Sequence, residues 1–284
     1  MASKLELALA AFASLRTPSR ITAALRSGGS AGLEAAFAEL SAESRSDVQR
    51  KAIAMSDDGI DVVMFGDPDY PAQLVFGARP AAPVIFFKGN RDLLYSEGVG
   101  MCGSRNVSAP GLTAASKCGE TVSGKKLVVV SGYAKGVDTA THLAALRTGG
   151  STVIVLAEGF DYFRVKRDFA KDFDADRTLV MSQFAPSQTW QAHAAMARNA
   201  IIYGLSKALL VIEAGARGGT LAAGQGALHV GRPVLVVDFG DQTPDGNRIL
   251  LDEGATPIRT TNALSEVLDR IPGFVSNSEP PALF

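Results

Sequence analysis

Cysteine, histidine and net charge are all scarce in this sequence. Cys102 and Cys118 are its only cysteines, and it has three histidines. That is too few for a disulfide scaffold or a four-ligand zinc site, so a reducing compartment is expected, with both thiols as small core residues. His193 and His229 stand alone without a partner at metal spacing, and neither metal nor cofactor is expected. The 28 Lys and Arg against 29 Asp and Glu leave a formal charge of −1. This excludes a histone-like polycation, and any nucleic acid must be met by a local patch. No run approaches the ~20 apolar residues of a membrane span. Glu6 interrupts the apolar N-terminal run and Arg16 follows it, so that segment reads as an amphipathic helix rather than a secretory signal. A cytoplasmic protein without membrane contact is expected. Neither a G-x-x-x-x-G-K-[ST] phosphate loop nor a dinucleotide-binding glycine turn is expected, so an ordinary P-loop NTPase or nicotinamide enzyme is not indicated.

What is present in abundance is apolar residues, 46% of 284, enough for a sizeable core. Residues 1–58 carry apolar positions at helical spacing (Leu5, Ala8, Leu9, Phe12; Leu33, Ala36, Phe37, Leu40), with breaks at Thr17-Pro18 and Ser27-Gly28-Gly29. A small helical, SAM-like module is expected there. From residue 59 to 272 short β-branched runs alternate with Ala- and Gly-rich helical stretches, the pattern of an α/β fold with a mostly parallel sheet. Strands are expected at 61–65, 84–88, 99–103, 127–131, 152–157, 178–182, 208–213, 233–238 and 256–259. Helices are expected near 110–123, 136–148, 190–205, 219–230 and 262–270. Residues 273–284, polar and proline-rich, are expected to be a disordered tail.

In a doubly wound sheet ligands bind beyond the carboxyl ends of the strands. Three such ends stand out. The first runs into Gly103-Ser104-Arg105-Asn106 ahead of a helix, offering close backbone approach, hydrogen bonds, a guanidinium fork and a helix N-terminus. The second is Ser131-Gly132-Tyr133-Ala134-Lys135-Gly136, with Lys135 placed to meet a phosphate and Tyr133 to stack a base. The third is a glycine-rich loop in which Arg217, Gly218, Gly219 and Thr220 open a helix. Arg198 and Asn199, in the preceding helix, add a fourth contribution. Each turn alone is explained equally well by the steric needs of a parallel sheet. Three cationic turns after three strands point together to an anion site.

Other residues read more plainly. His142, one turn beyond Asp138, is expected to pack or orient rather than act as a base. The mixed run from Asp161 to Asp176 reads as a solvated helix face. Glu213 is either an acceptor that orders the glycine loop or the nucleophile of a glycosidic reaction.

The segments GDPDYPAQL, VIFFKGN, CGSRNVSAPG, SGYAKGVDTATH, GGSTVIVLAEG, ARNAIIYGLS, LLVIEA, GGTLAAGQGALHVGRPV and GNRILLDEGA resemble, in order and spacing over roughly residues 60–260, the DprA/Smf family of DNA-processing proteins. The resemblance implies an extended Rossmann-like domain after a helical module, binding of single-stranded DNA, a homodimer, and loading of a RecA-type recombinase onto DNA in natural transformation. Arg105 and Lys135 match the family's basic pocket, Arg198-Asn199 the start of its RN-R motif, and Gly218-Gly219-Thr220 its S-G-x-L turn. The sequence departs from the pattern at Ala200, where a second Arg is usual, and at Gly218, where Ser is usual. It departs again at Val237-Asp238-Phe239, at Asp161-Tyr162-Phe163-Arg164 and at Ser182-Gln183-Phe184. A divergent member without the C-terminal winged helix is expected, with at least one pocket cation missing.

A non-enzymatic, sequence-independent single-strand binder is therefore the leading expectation. The alternative is a small-nucleotide sensor or a phosphoribohydrolase-like enzyme of a related Rossmann-like group, in which Gly218-Gly219-Thr220 would hold phosphate and Glu213 would cleave.

Overall fold

The computed structural model describes residues 2–273. Of the tail expected at 273–284, all but Gly273 lies outside the described residues. Four helices come first: α1 (Lys4–Ser14), α2 (Pro18–Gly28), α3 (Ser30–Ala38) and α4 (Ala42–Asp57). Hydroxyls take up otherwise free amides at three of their starts. Ser3 and Glu6 cap α1 reciprocally, Thr17 caps α2 just ahead of Pro18, and Ser41 caps α4.

Strands β1 (Ile60–Met64), β4 (Val84–Gly89), β5 (Gly98–Cys102), β6 (Val128–Ser131), β7 (Thr152–Val155), β8 (Thr178–Ser182), β9 (Ser206–Val211), β10 (Val234–Val237) and β11 (Thr256–Ile258) form one sheet. Their order is β1-β4-β8-β7-β6-β5-β9-β10-β11. All the strands expected from the sequence are present within two residues of the expected bounds. β2 (Val75–Phe76) and β3 (Arg79–Pro80), which pair as a separate hairpin, were not expected. β4 is antiparallel to both β1 and β8, and the other neighbours in the large sheet are parallel. The link from β1 to β4 holds no α-helix, and a parallel crossover needs one or its equivalent.

The crossovers are α5 (Ala109–Gly124), α6 (Val137–Arg147), α9 (Gly219–His229), α10 (Asp245–Asp252) and the closing α11 (Thr261–Arg270). The helix expected over 190–205 is two short ones, α7 (Ala192–Ala197) and α8 (Asn199–Gly204), parted at Arg198. From β5 the chain builds outward through β6, β7 and β8, then returns to lay β9 on the other side of β5. The connections thus diverge between β5 and β9, the topological switch point.

Alternation along the strands divides the core. Val62 and Met64 of β1 and Val84 and Phe86 of β4 pack with Leu5, Leu9, Ile21, Leu33 and Met55 of the N-terminal helices, so those helices share a core with the sheet. Val63, Ile85 and Phe87 point to the opposite face, joining Leu209, Val211, Ile201 and Leu250. Gly98, Gly100 and Gly103 do have G-x-G-x-x-G spacing, but the first two lie inside β5 rather than in the turn that opens a helix, so this is strand packing and not a dinucleotide fingerprint.

Candidate functional site

Two adjacent turns at the carboxyl ends of β5 and β6 lock together. Gly136 takes φ +82°, and a β-carbon there would overlap the carbonyl oxygen of Ser104, so the Gly132–Gly136 turn lies flush on the Gly103–Asn106 turn. The Ser104 hydroxyl accepts from Asn106 N at 3.1 Å, and Ser104 O accepts from Val137 N at 3.3 Å. Ser108 caps α5 by accepting from Gly111 N at 3.0 Å. The Glu213 carboxylate in turn accepts from Ser108 N at 3.0 Å and from the Ser108 hydroxyl. Glu213 therefore orders the α5 cap, not the glycine loop it was expected to order, and its oxygens are already occupied by Ser108.

Beneath the second turn sits a buried polar group. His142 Nε2 lies 2.7 Å from Gly132 O, which can only accept, so Nε2 donates to it, while Nδ1 lies 2.5 Å from Thr152 Oγ1, whose hydroxyl donates to Val129 O at 2.8 Å. Burial depresses the imidazole to about 4, which leaves it neutral and keeps it in its orienting role. Asp138 accepts from Ala134 N at 3.1 Å and faces the Arg198 guanidinium at 3.5 Å. Arg198 is buried, and its Nε has no hydrogen-bond partner among the described residues. Desolvation pulls its pKa down, and the neighbouring Asp138 pulls the other way.

Above these groups lies a cavity of about 220 Å³ lined by Arg105, Tyr133, Lys135, Glu158, Lys166, Trp190 and Arg198, with Ala134 and Ala157. The turns after β5 and β6 and the loops after β7 and β8 contribute to it in turn, and Arg198 arrives from the α7–α8 junction. Arg105 and Lys135 are exposed. The Arg105 guanidinium stands 4.9 Å from the Trp190 ring centroid, on a side chain that is itself exposed. Lys166 is half-buried; its ammonium donates to Tyr133 O and lies 4.0 Å from the Tyr133 ring centroid. Burial lowers the Lys166 pKa, and raises that of the Tyr133 hydroxyl. The result is a mainly cationic pocket with one exposed indole, suited chemically to an anion carrying a flat ring.

Residues 61–269 match the family of DNA recombination-mediator protein A. The chain belongs to that family. Its relatives carry the name DNA processing protein. It is 39% identical to the DNA processing protein DprA of Streptococcus pneumoniae over 178 residues, 61% of this chain and 63% of that one. It is 30% identical to the DprA of Bacillus subtilis over 224 residues, 77% of this chain and 75% of that one. The chain thus spans just under two thirds of the pneumococcal protein. The X-ray structure of pneumococcal DprA superimposes with a TM-score of 0.70 at 29% identity, covering 86% of this chain and 82% of that one. The DprA of Helicobacter pylori, solved for its single-stranded DNA binding mode, shares the fold with a TM-score of 0.65 at 19% identity over 74% of this chain and 96% of that one.

Against this DprA fold, the structure brings together Arg105, Lys135, Tyr133 and Arg198 of the residues singled out by sequence. It does not bring all of them there. Ser131 is buried and its hydroxyl donates to Met101 O at 2.7 Å, joining two strands instead of facing a ligand. Gly132 is buried against Arg198. Tyr133 is no free stacking platform: its hydroxyl accepts from Lys166 N at 2.8 Å, and its ring packs on Phe163 and Phe169 under the Lys166 ammonium. Arg217 and Gly218 form an exposed loop after β9 and Gly219 and Thr220 open α9, all four outside the cavity lining; Asn199, next to the lining residue Arg198, donates from Nδ2 to Gly219 O at 3.3 Å.

Three cavity residues went unread in the sequence. Lys166 belongs to the mixed charge run, which is a loop of short 3₁₀ turns rather than a helix face. Trp190, the sole tryptophan, sits in a polar stretch just before the Arg198-Asn199 helix, and that setting is the signal for it. Glu158 lies three residues past the carboxyl end of β7, in the region where ligand residues are expected.

Among the described residues no helix is long and apolar enough to cross a membrane.

Proposed function

We propose that the chain binds single-stranded DNA in this cavity, without catalysis. The observation that carries the reading is the convergence of Arg105 and Lys135 from two strand-end turns, Lys166 from the loop after β7 and Arg198 from a helix junction around one pocket that also presents an exposed indole. Phosphates would be held by Arg105 and Lys135, the two exposed cations. Arg198 and Lys166 set the potential from below, and Trp190 rather than Tyr133 offers a ring face to a base. Such groups act on backbone and π-faces, so the grip on the strand is largely independent of sequence. The single-strand binding reported for the Helicobacter pylori fold relative supports this reading.

Fluorescence anisotropy with single- and double-stranded oligonucleotides at two salt concentrations tests it. A single-strand preference that weakens with salt is expected. Equal affinity for duplex would reject the reading, as would an Arg105→Ala, Lys135→Ala double variant that binds like the parent.

We further propose that the protein acts in the cytoplasm as a homodimer and hands the strand to a RecA-type recombinase during natural transformation. Light scattering is expected to give twice the mass of the chain. Recombinase filament assembly on a strand coated with single-strand-binding protein is expected to accelerate when the chain is added. A monomer, or no acceleration, would count against these roles.

A further inference from the structure

A carboxylate set among four cations is out of place in a cavity that holds phosphate alone. Glu158 lines the cavity beside Arg105, Lys135, Lys166 and Arg198. No donor among the described residues hydrogen-bonds its carboxylate. Its carbonyl oxygen takes the Ser182 hydroxyl at 2.7 Å, and Lys166, whose ammonium is hydrogen-bonded to Tyr133 O, acts on the carboxylate only through space. Partial burial raises the Glu158 pKa, the mark of a carboxylate short of donors. An incoming strand thus meets two unoccupied acceptor oxygens in the same pocket as the Trp190 ring.

The chemistry of the bases makes that arrangement selective. Guanine alone among the four carries two adjacent donors on its Watson–Crick edge, N1–H and the N2 amine, which match the two oxygens of a carboxylate. Thymine offers one N–H between two carbonyl groups. Adenine and cytosine each place an amine beside a ring-nitrogen lone pair, which would face the second carboxylate oxygen. We propose that Glu158 makes this cavity a guanine-preferring base site, with the unpaired guanine edge on its carboxylate, the ring against Trp190, and the flanking phosphates on Arg105 and Lys135. The proposal rests on the single-stranded DNA reading and refines it: the backbone grip is indifferent to sequence, whereas one base position is not. The guanine edge is free in a single strand and in a free nucleotide, and the experiment separates the two.

Competition anisotropy against a labelled oligothymidylate of about 12 nucleotides, within the span of one single-strand site, compares unlabelled competitors carrying one central thymine, adenine, cytosine, guanine or hypoxanthine. The guanine strand is expected to compete about tenfold better than the thymine strand, the scale of one bidentate base contact. Hypoxanthine, which keeps N1–H but lacks the amine, is expected to fall between them. In Glu158→Gln the guanine-to-thymine ratio is expected to fall to near one. The hypoxanthine comparison uses the unaltered protein and holds even if the variant does not fold. Equal competition by all bases, or a guanine preference that survives Glu158→Gln, would overturn the proposal while leaving single-strand binding intact. If no oligonucleotide binds, the single-strand reading fails. Titration with deoxyguanosine monophosphate then decides the base site: saturable binding lost in Glu158→Gln upholds it for a free nucleotide, and no binding overturns it.

Discussion

The Arg198 guanidinium occupies the space directly against Gly132, where a side chain of any kind would overlap it. A glycine in one turn and a cation from a distant helix junction are thus fitted to each other, and the fit holds Arg198 beneath the cavity. Gly132→Ala forces the guanidinium away from Asp138. The expected cost is about 1–3 kcal/mol, typical of overpacking, with weaker single-strand binding besides. Urea unfolding and anisotropy on the same preparation check both effects.

Asp138 and Arg198 are both buried, so removing one leaves the other without its charge partner. Asp138→Ala is expected to cost about 3–5 kcal/mol. Asp138→Asn, which keeps an acceptor for Ala134 N, is expected to cost less. Pairing Asp138→Ala with Arg198→Met is expected to recover part of the loss, because no orphaned charge remains. Denaturant midpoints for the four proteins complete the comparison.

His142 makes stability depend on pH. The folded imidazole is depressed from 6.5 to about 4. Below pH 6.5 the unfolded chain therefore binds a proton that the folded chain refuses. This contribution leaves stability intact above about 6.5 and erodes it as pH falls toward 4, by about 3 kcal/mol in all. His142→Gln is expected to flatten that part of the profile. Urea midpoints at pH 7 and pH 5 for parent and variant isolate the term, since the other titrating groups are common to both.

Arg105 and Lys135 are exposed and sit at the rim. Alanine at either is expected to shift folding stability by less than about 0.5 kcal/mol. Each is expected to lower the slope of log affinity against log salt by about one unit. Binding isotherms over a salt series read the slope directly.

The strands were legible because β-branched runs such as Val128–Ser131 and Thr152–Val155 are short, apolar and bounded by turn residues. The turns bearing Arg105 and Lys135 were legible because they follow those runs. Burial was not: nothing local distinguishes Arg198, sealed against Gly132, from Arg217, exposed in its loop. Lys166 was lost because alternating charge looks alike on a helix face and in a chain of 3₁₀ turns. Tyr133 was misread for a similar reason, since its ring is claimed by Phe163 and Phe169 from a segment with no periodicity to announce it. Tertiary contact decides each of these positions.

The sole tryptophan lies in the cavity under the Arg105 guanidinium, so tryptophan emission, excited selectively over that of tyrosine, reports on this site. Titrating the protein with single-stranded and duplex DNA at low and high salt is the most direct test of the central claim, that this cavity holds the strand. Saturable quenching of Trp190 by single-stranded DNA, weakened by salt and absent with duplex, is the predicted result. Unchanged Trp190 emission while anisotropy reports bound single strand would place the DNA elsewhere and contradict the account.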